Sequence, residues 1–301
     1  MGAPSGLPSL QGQPSRRKAS VMPLPESTEL FTLEEADGVL IVTYSADPLN
    51  YLNVTALGEL GQLVPVMAEP RFRAVIFQSR PDETGFLTHF SVEEIYELII
   101  KSPETSRYAA EVVRQFKALL DSIAALPKVT IAAMNGDTMG GGQEMALACD
   151  IRIGERGDYR YGQPEVRLGI IPGAGGSQRL SRLIGLGKAL NMILRGMVVT
   201  PEEAQSLGIT SELVDDAPAR ALEIAKEIAT LPPMGIAKAK ASIYKGFNTD
   251  LQSGLEMESL FWQEAMQSDD AKAACLAFLE IPLEKRRDYI ESGPFPPSTG
   301  M

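Results

Sequence analysis

Val129-Thr130-Ile131-Ala132-Ala133-Met134-Asn135-Gly136-Asp137-Thr138-Met139-Gly140-Gly141-Gly142-Gln143-Glu144 is the stretch on which the reading of this chain turns. A short apolar, β-rich run leads into three consecutive glycines. Glu144-Met145-Ala146-Leu147-Ala148-Cys149 then continues as a helix former. A strand, a glycine turn and a helix N-terminus make an arrangement suited to anions. The first N–H groups of a helix have no partner inside it. Glycine lets a ligand oxygen approach that backbone closely. Three ligand readings follow. A dinucleotide fingerprint needs G-x-G-x-x-G, which neither this run nor Gly173-Ala174-Gly175-Gly176 supplies, and a phosphate loop needs Gly-Lys-Ser/Thr at its end. An oxyanion hole, in which an N–H stabilises a developing enolate oxygen, fits the run. A tight strand-to-helix turn with no ligand is the alternative.

Two glutamates sharpen the choice. Glu144 falls in the first turn after the glycines, and Glu165 follows the constrained Gly162-Gln163-Pro164. Carboxylates fixed in an apolar, half-buried site gain raised pKa values and exchange protons near neutrality. Two that grip one water would activate it for addition to a polarised double bond. Either glutamate alone is equally well read as an acid favoured by a helix dipole. Other chemistries lack residues. His89 is the only histidine, no G-x-S-x-G elbow is present, and no His or Cys set suits a metal, so no metal site is expected.

Further β-rich runs occur at Val39–Tyr44, Ala74–Gln78 and Ile151–Ile153. Helical patterns lie between them. One runs from Asn53 to Met67, with Pro65 expected to break its end. Another runs from Arg107 to Ala125, with Ala110, Val113, Phe116, Leu120 and Ile123 on one stripe. The alternation predicts an α/β core of repeated strand–helix units. Beyond about Gly185 the strands are expected to stop. Thr200-Pro201-Glu202-Glu203 starts a helix that Gly208 closes. Helices are then predicted over 217–230, 234–246, 250–267 and 270–280.

The chain has 301 residues, of which 44% are hydrophobic, enough for one domain with a helical appendage. The net charge of −11 argues against nucleic acid as a partner. No stretch approaches 18 apolar residues, so no membrane span is expected. Cys149 and Cys275 form no spaced pair, which suits a reducing, cytoplasmic location. Residues 1–27 and 291–301 read as disordered tails. The first contains Arg16-Arg17-Lys18 but no secretory apolar core, and its prolines oppose the helix of a transit peptide.

Met134 to about Gly187 resembles the crotonase superfamily, in particular the enoyl-CoA hydratases. The matching text is Met134-Asn135-Gly136, Gly140 to Glu144, Ala148-Cys149-Asp150-Ile151-Arg152, Tyr161 to Glu165, and Leu168 to Leu180 with its Gly169-Ile170-Ile171-Pro172-Gly173-Ala174-Gly175-Gly176. Weaker similarity covers about 30–280. The resemblance implies an α/β fold, a crotonase-type spiral of ββα units over 28–215, with a helical C-terminal trimerisation region over 216–290. It implies a homotrimer or a dimer of trimers. It implies an acyl-CoA substrate, with coenzyme A arriving as part of the substrate and no separate cofactor. Gly141 matches the position whose N–H forms half of the oxyanion hole, and Glu144 and Glu165 match the two acid–base glutamates. Having both favours hydration of a 2-enoyl thioester.

The sequence departs from the family pattern in three places. A small-residue segment, Ala-Gly-Ala-Asp in relatives, is here Gly85-Phe86-Leu87-Thr88-His89-Phe90-Ser91. Thr88 is expected to be the second oxyanion donor, with His89, Phe90, Pro172 and Gly173 binding the substrate. His89 has two readings: a ring turned out of the pocket, or a group that hydrogen-bonds the substrate. The family's Phe-x-Glu-Lys-Arg is only partly present, as Phe278-Leu279-Glu280-Ile281-Pro282. Asp47-Pro48-Leu49-Asn50 loosely matches an Asn-Ala-Leu-Asn loop. Isomerisation, thioester or carbon–carbon bond hydrolysis, and a non-catalytic RNA-interacting relative remain as alternatives.

Overall fold

The computed structural model describes residues 23–46, 48–81, 85–100 and 103–293. Residues 1–22 and 294–301 of the two expected tails lie outside the described residues. Two sheets carry the fold. From β3 to β8 successive strands alternate between them, which generates the ββα spiral. The first sheet has the order β1-β2-β3-β5-β7-β10, from β1 (Phe31–Ala36), β2 (Val39–Tyr44), β3 (Ala74–Ser79), β5 (Val129–Met134), β7 (Ile151–Glu155) and β10 (Glu212–Val214). β1 and β2 are antiparallel, and the remaining neighbours are parallel. The second sheet has the order β4-β6-β8-β9, from β4 (Gly85–Leu87), β6 (Asp137–Met139), β8 (Tyr161–Gly162) and β9 (Val198–Val199).

Helices close each turn of the spiral. They are α1 (Val54–Met67), α2 (Val92–Ile100), α3 (Pro103–Ala124), α4 (Gly141–Ala148), α5 (Gly176–Ile184), α6 (Leu186–Leu194) and α7 (Pro201–Leu207). α8 (Ala217–Ala229), α9 (Pro233–Phe247), α10 (Leu251–Met266), α11 (Asp269–Glu280) and α12 (Arg286–Ser292) follow. Strand residues explain the layers. Val39 and Ile41 of β2, with Ala74 and Ile76 of β3, pack on Ala217, Ala221 and Ala225 of α8. Leu40, Val42, Val75 and Phe77 face the larger core with α1, α3 and α4. Both faces are therefore buried, as in parallel sheets generally. The alanine stripe at i, i+4, i+8 brings α8 close to the sheet.

Four expectations need correcting. Strands do not stop at Gly185, because β9 and β10 lie beyond it. Each has only two or three residues and exists through pairing with β8 or β7, so no local alternation announces it. Pro65 does not break α1. The helix continues to Met67, with Asn53 capping its start by accepting from Ala56 N–H. α3 begins four residues earlier than Arg107, at Pro103. Its buried side is Val112, Phe116, Leu119, Leu120 and Ile123, while Val113 is 43% exposed. α7 starts at the expected Thr200 cap, which with Glu203 forms a capping box, and Gly208 ends it.

The C-terminal helices are tied to the core by polar bonds. Lys240 Nζ donates to Asp150 Oδ2 at 2.8 Å and to Lys128 O at 2.9 Å, and Tyr244 Oη donates to Asp150 Oδ1 at 2.9 Å. Ile243, Phe247, Leu251, Leu260 and Trp262 remain exposed on this region. Among the described residues, no helix is long and apolar enough to cross a membrane.

Candidate active site

The glycine run places α4 against the second sheet. Gly140 adopts φ 49°, a region L side chains avoid, and turns the chain from β6 into the helix. At Gly142 a Cβ would lie 1.5 Å from Leu87 O, so only glycine lets α4 dock on β4. Gly141 between them is the first helical residue, and its N–H has no intrahelical acceptor.

A cavity of about 950 Å³ opens in front of this N-terminus. That is at the upper end of the range for small-molecule sites. Gly141, Glu144, Glu165, His89, Phe90, Pro172 and Gly173 all line it. Glu144 is buried, and its Oε1 accepts from Ala174 N–H and Gly176 N–H, each at 2.7 Å. The segment after Pro172 thus holds one oxygen of the carboxylate. Burial raises the Glu144 pKa, while the N–H groups of Gly176 and Ala174 oppose the rise.

Glu165 sits differently. It begins a 3-10 turn, Glu165–Leu168, that follows Pro164. Both carboxylate oxygens are buried without a hydrogen-bond partner. Oε1 lies 3.4 Å from where a Cβ on Gly140 would stand. Burial, with the like charge of Glu144 adding to it, pushes its pKa up to about 7. Two carboxyls with unlike surroundings therefore share one cavity. One is anchored by two donors, and the other is poised to hold or lose a proton at neutrality.

Thr88 does not take the expected place. Its N–H donates to Asn50 O at 3.0 Å, its carbonyl accepts from Met139 N–H at 2.7 Å, and its hydroxyl bonds to Leu49 O. It is a buried brace. The open donor is two residues on. Leu52 bridges Phe90 in parallel: Leu52 N–H donates to His89 O at 2.8 Å, and Ser91 N–H donates to Leu52 O at 2.7 Å. Those bonds turn Phe90 N–H to the other side, where nothing among the described residues accepts from it. A Cβ on Gly141 would lie 3.6 Å from Phe90 N. The N–H groups of Gly141 and Phe90 are thus neighbours at one wall.

His89 is held, not turned out. Its ring stacks on Tyr51 at 4.5 Å, and its Nδ1 lies 2.8 Å from Phe90 O. With a proton on Nδ1, the ring clamps the peptide that follows the open donor. Asn50 is the residue the sequence reading undervalued. It is buried at φ 54°, donates through Nδ2 to Gly85 O at 2.7 Å, and accepts Ala46 N–H at 2.6 Å. An asparagine tolerates this left-handed conformation, which is the one local signal that could have marked it.

A family model described as enoyl-CoA hydratase/isomerase matches residues 34–288. A short-chain-enoyl-CoA hydratase of Clostridium acetobutylicum is 33% identical over 82% of this chain and 94% of its own length. A mitochondrial methylglutaconyl-CoA hydratase of Rattus norvegicus is 37% identical over 56% of this chain and 55% of its own length. The crystal structure of an enoyl-CoA hydratase from Bacillus anthracis superposes with a TM-score of 0.77 at 31% identity, over 84% of this chain and 96% of that one. By fold, by match along nearly the whole described chain and by the glycine run that builds its cavity, the chain belongs to the enoyl-CoA hydratase/isomerase family of the crotonase superfamily.

Proposed function

We propose that the chain hydrates the 2,3 double bond of an enoyl thioester of coenzyme A, with no cofactor beyond the thioester itself. The observation that carries this reading is the pair of unlike carboxyls, Glu144 and Glu165, in one cavity beside two N–H groups. The thioester oxygen binds between Gly141 N–H and Phe90 N–H, which stabilise the enolate as it forms. Glu144, oriented by Ala174 and Gly176, takes a proton from water as the oxygen adds to the β-carbon. Glu165, protonated up to about neutral pH, gives its proton to the α-carbon. The net change is one water added, and proton exchange with solvent restores both carboxyls. Pro172 and Gly173 line the same cavity, and His89 holds the donor segment.

Isomerisation of the double bond is the second reading. Glu165 alone, titrating near neutrality, could carry a proton between two carbons. We further propose a cytoplasmic homotrimer or dimer of trimers, with the exposed apolar side chains of α9 and α10 between subunits. Crotonyl-CoA hydration tests the reaction. Glu144→Gln and Glu165→Gln should each lower kcat by about 10²–10⁴. Full hydratase activity in either variant ends the two-carboxyl mechanism. Loss of hydration in Glu144→Gln with retained 3-enoyl to 2-enoyl conversion would instead support isomerisation.

A further inference from the structure

We propose that the preferred substrate carries a medium to long, unsubstituted hydrocarbon chain, and that an acyl group ending in a carboxylate is rejected. This rests on the enoyl-thioester reading. The only titratable side chains at the cavity are His89, Glu144, Glu165 and Arg167 among the described residues. Three of these belong to the reacting end. Arg167 Nε donates to Gly196 O at 2.7 Å and its stem packs over Gly196, which ties this side chain to the Gly196 turn. The remaining wall is hydrocarbon. α2 and α3 contribute Ile95, Ala109, Val112, Val113 and Phe116.

Size and exposure point the same way. A four-carbon acyl group needs only a fraction of about 950 Å³. Ile171 is 72% exposed, Leu168 56% and Val113 43%, although all three line the cavity. A contiguous apolar wall left open to water marks a surface that a ligand covers. Each methylene laid on it should strengthen binding roughly fourfold. A terminal carboxylate laid against the α2 and α3 side chains would lose its hydration among carbons, which costs far more than a methylene gains.

The test uses the full-length protein and two arms. In the first, kcat/KM is measured for straight-chain 2-enoyl-CoA substrates from four to about twelve carbons, and for a 2-enoyl-CoA with a terminal carboxylate. The expected profile rises about fourfold per methylene until the cavity fills. The carboxylated substrate should fall at least 100-fold below the straight chain of equal length. In the second arm, calorimetry follows binding of saturated acyl-CoA thioesters of the same lengths, which needs no turnover. Val113→Trp should lower the ratio of long-chain to four-carbon kcat/KM at least tenfold. Crotonyl hydration with a flat or falling length profile in both arms overturns the proposal and leaves the hydratase reading standing. So does efficient use of the carboxylated substrate, which would give Arg167 the role of its partner. A rising binding ladder with no hydration at any length overturns the hydratase reading instead. Absence of binding at every length overturns both.

Discussion

Glu165 is half-buried, with both carboxylate oxygens shut away from water and neither hydrogen-bonded, an arrangement that stability alone would not select. Its pKa of about 7 has two measurable consequences. If protonated Glu165 supplies the α-proton, kcat/KM for hydration should fall above about pH 7, and Glu165→Gln should lose that limb along with most activity. The second consequence is thermodynamic. A carboxyl whose folded pKa is raised keeps its proton in the native state where the unfolded chain has lost it. Stability therefore falls as pH climbs from 4.5 to about 7. Denaturant unfolding should show Glu165→Gln more stable than the parent at pH 8, by up to about 3 kcal/mol, and the difference should vanish near pH 4. Gly141 offers a cleaner test of the oxyanion donor. Proline is tolerated at the first helical position and removes the N–H. Gly141→Pro should lower kcat by about 10²–10³, while Gly141→Ala keeps the donor and should retain much more activity. At this scale Glu144 and Glu165 were legible because glycine and proline spacing fixes them locally, and the family resemblance singled out Gly141 within the glycine run. The neighbour of Gly141 was misread as Thr88, since which N–H faces the cavity is decided by the bridge to Leu52, remote in sequence.

The elements were legible in proportion to their length. α1, α3, α7 and the helices from α8 to α11 carry caps or stripes that sequence alone reports. β4, β6, β8 and β9 have two or three residues each, and the second sheet they form was not foreseen as a sheet. Its existence depends on α4 docking at Gly142. Gly142→Ala puts a methyl 1.5 Å from a backbone oxygen that cannot rotate away. It should destabilise by more than about 3 kcal/mol, read from the urea midpoint. The tie from α9 is a second element-scale dependence. Lys240 is largely buried against Asp150, so Lys240→Met leaves that carboxylate without its cation. A loss of about 3 kcal/mol is expected, with Lys240→Arg recovering part of it.

For the whole molecule, alternation of strand and helix predicted an α/β core, the family resemblance implied a spiral, and the strand order β1-β2-β3-β5-β7-β10 fits both. What composition could not give is where the apolar surface would be left over. Phe247, Leu251 and Trp262 are each more than 60% exposed, too much apolar surface for one helical layer facing water. Sedimentation velocity should find the chain at about three or six times its monomer mass. Phe247→Asp should move the distribution towards smaller species, and an unchanged monomer for both proteins would remove these helices from any interface.

The grip of Leu52 on residues 89–91 has a consequence for how the protein fails. The donor at Phe90 belongs to the β3–β4 turn of the spiral, the residue that aims it belongs to the preceding turn, and both glutamates belong to later ones. Catalytic alignment is thus a property of the seams between successive turns and of no single turn. A seam held by one isolated bridge and a few loop hydrogen bonds opens at lower cost than a sheet. Denaturant should therefore extinguish turnover at concentrations where circular dichroism still reports an intact fold, with the amides of Leu52 and Ser91 exchanging ahead of those in β3 and β5.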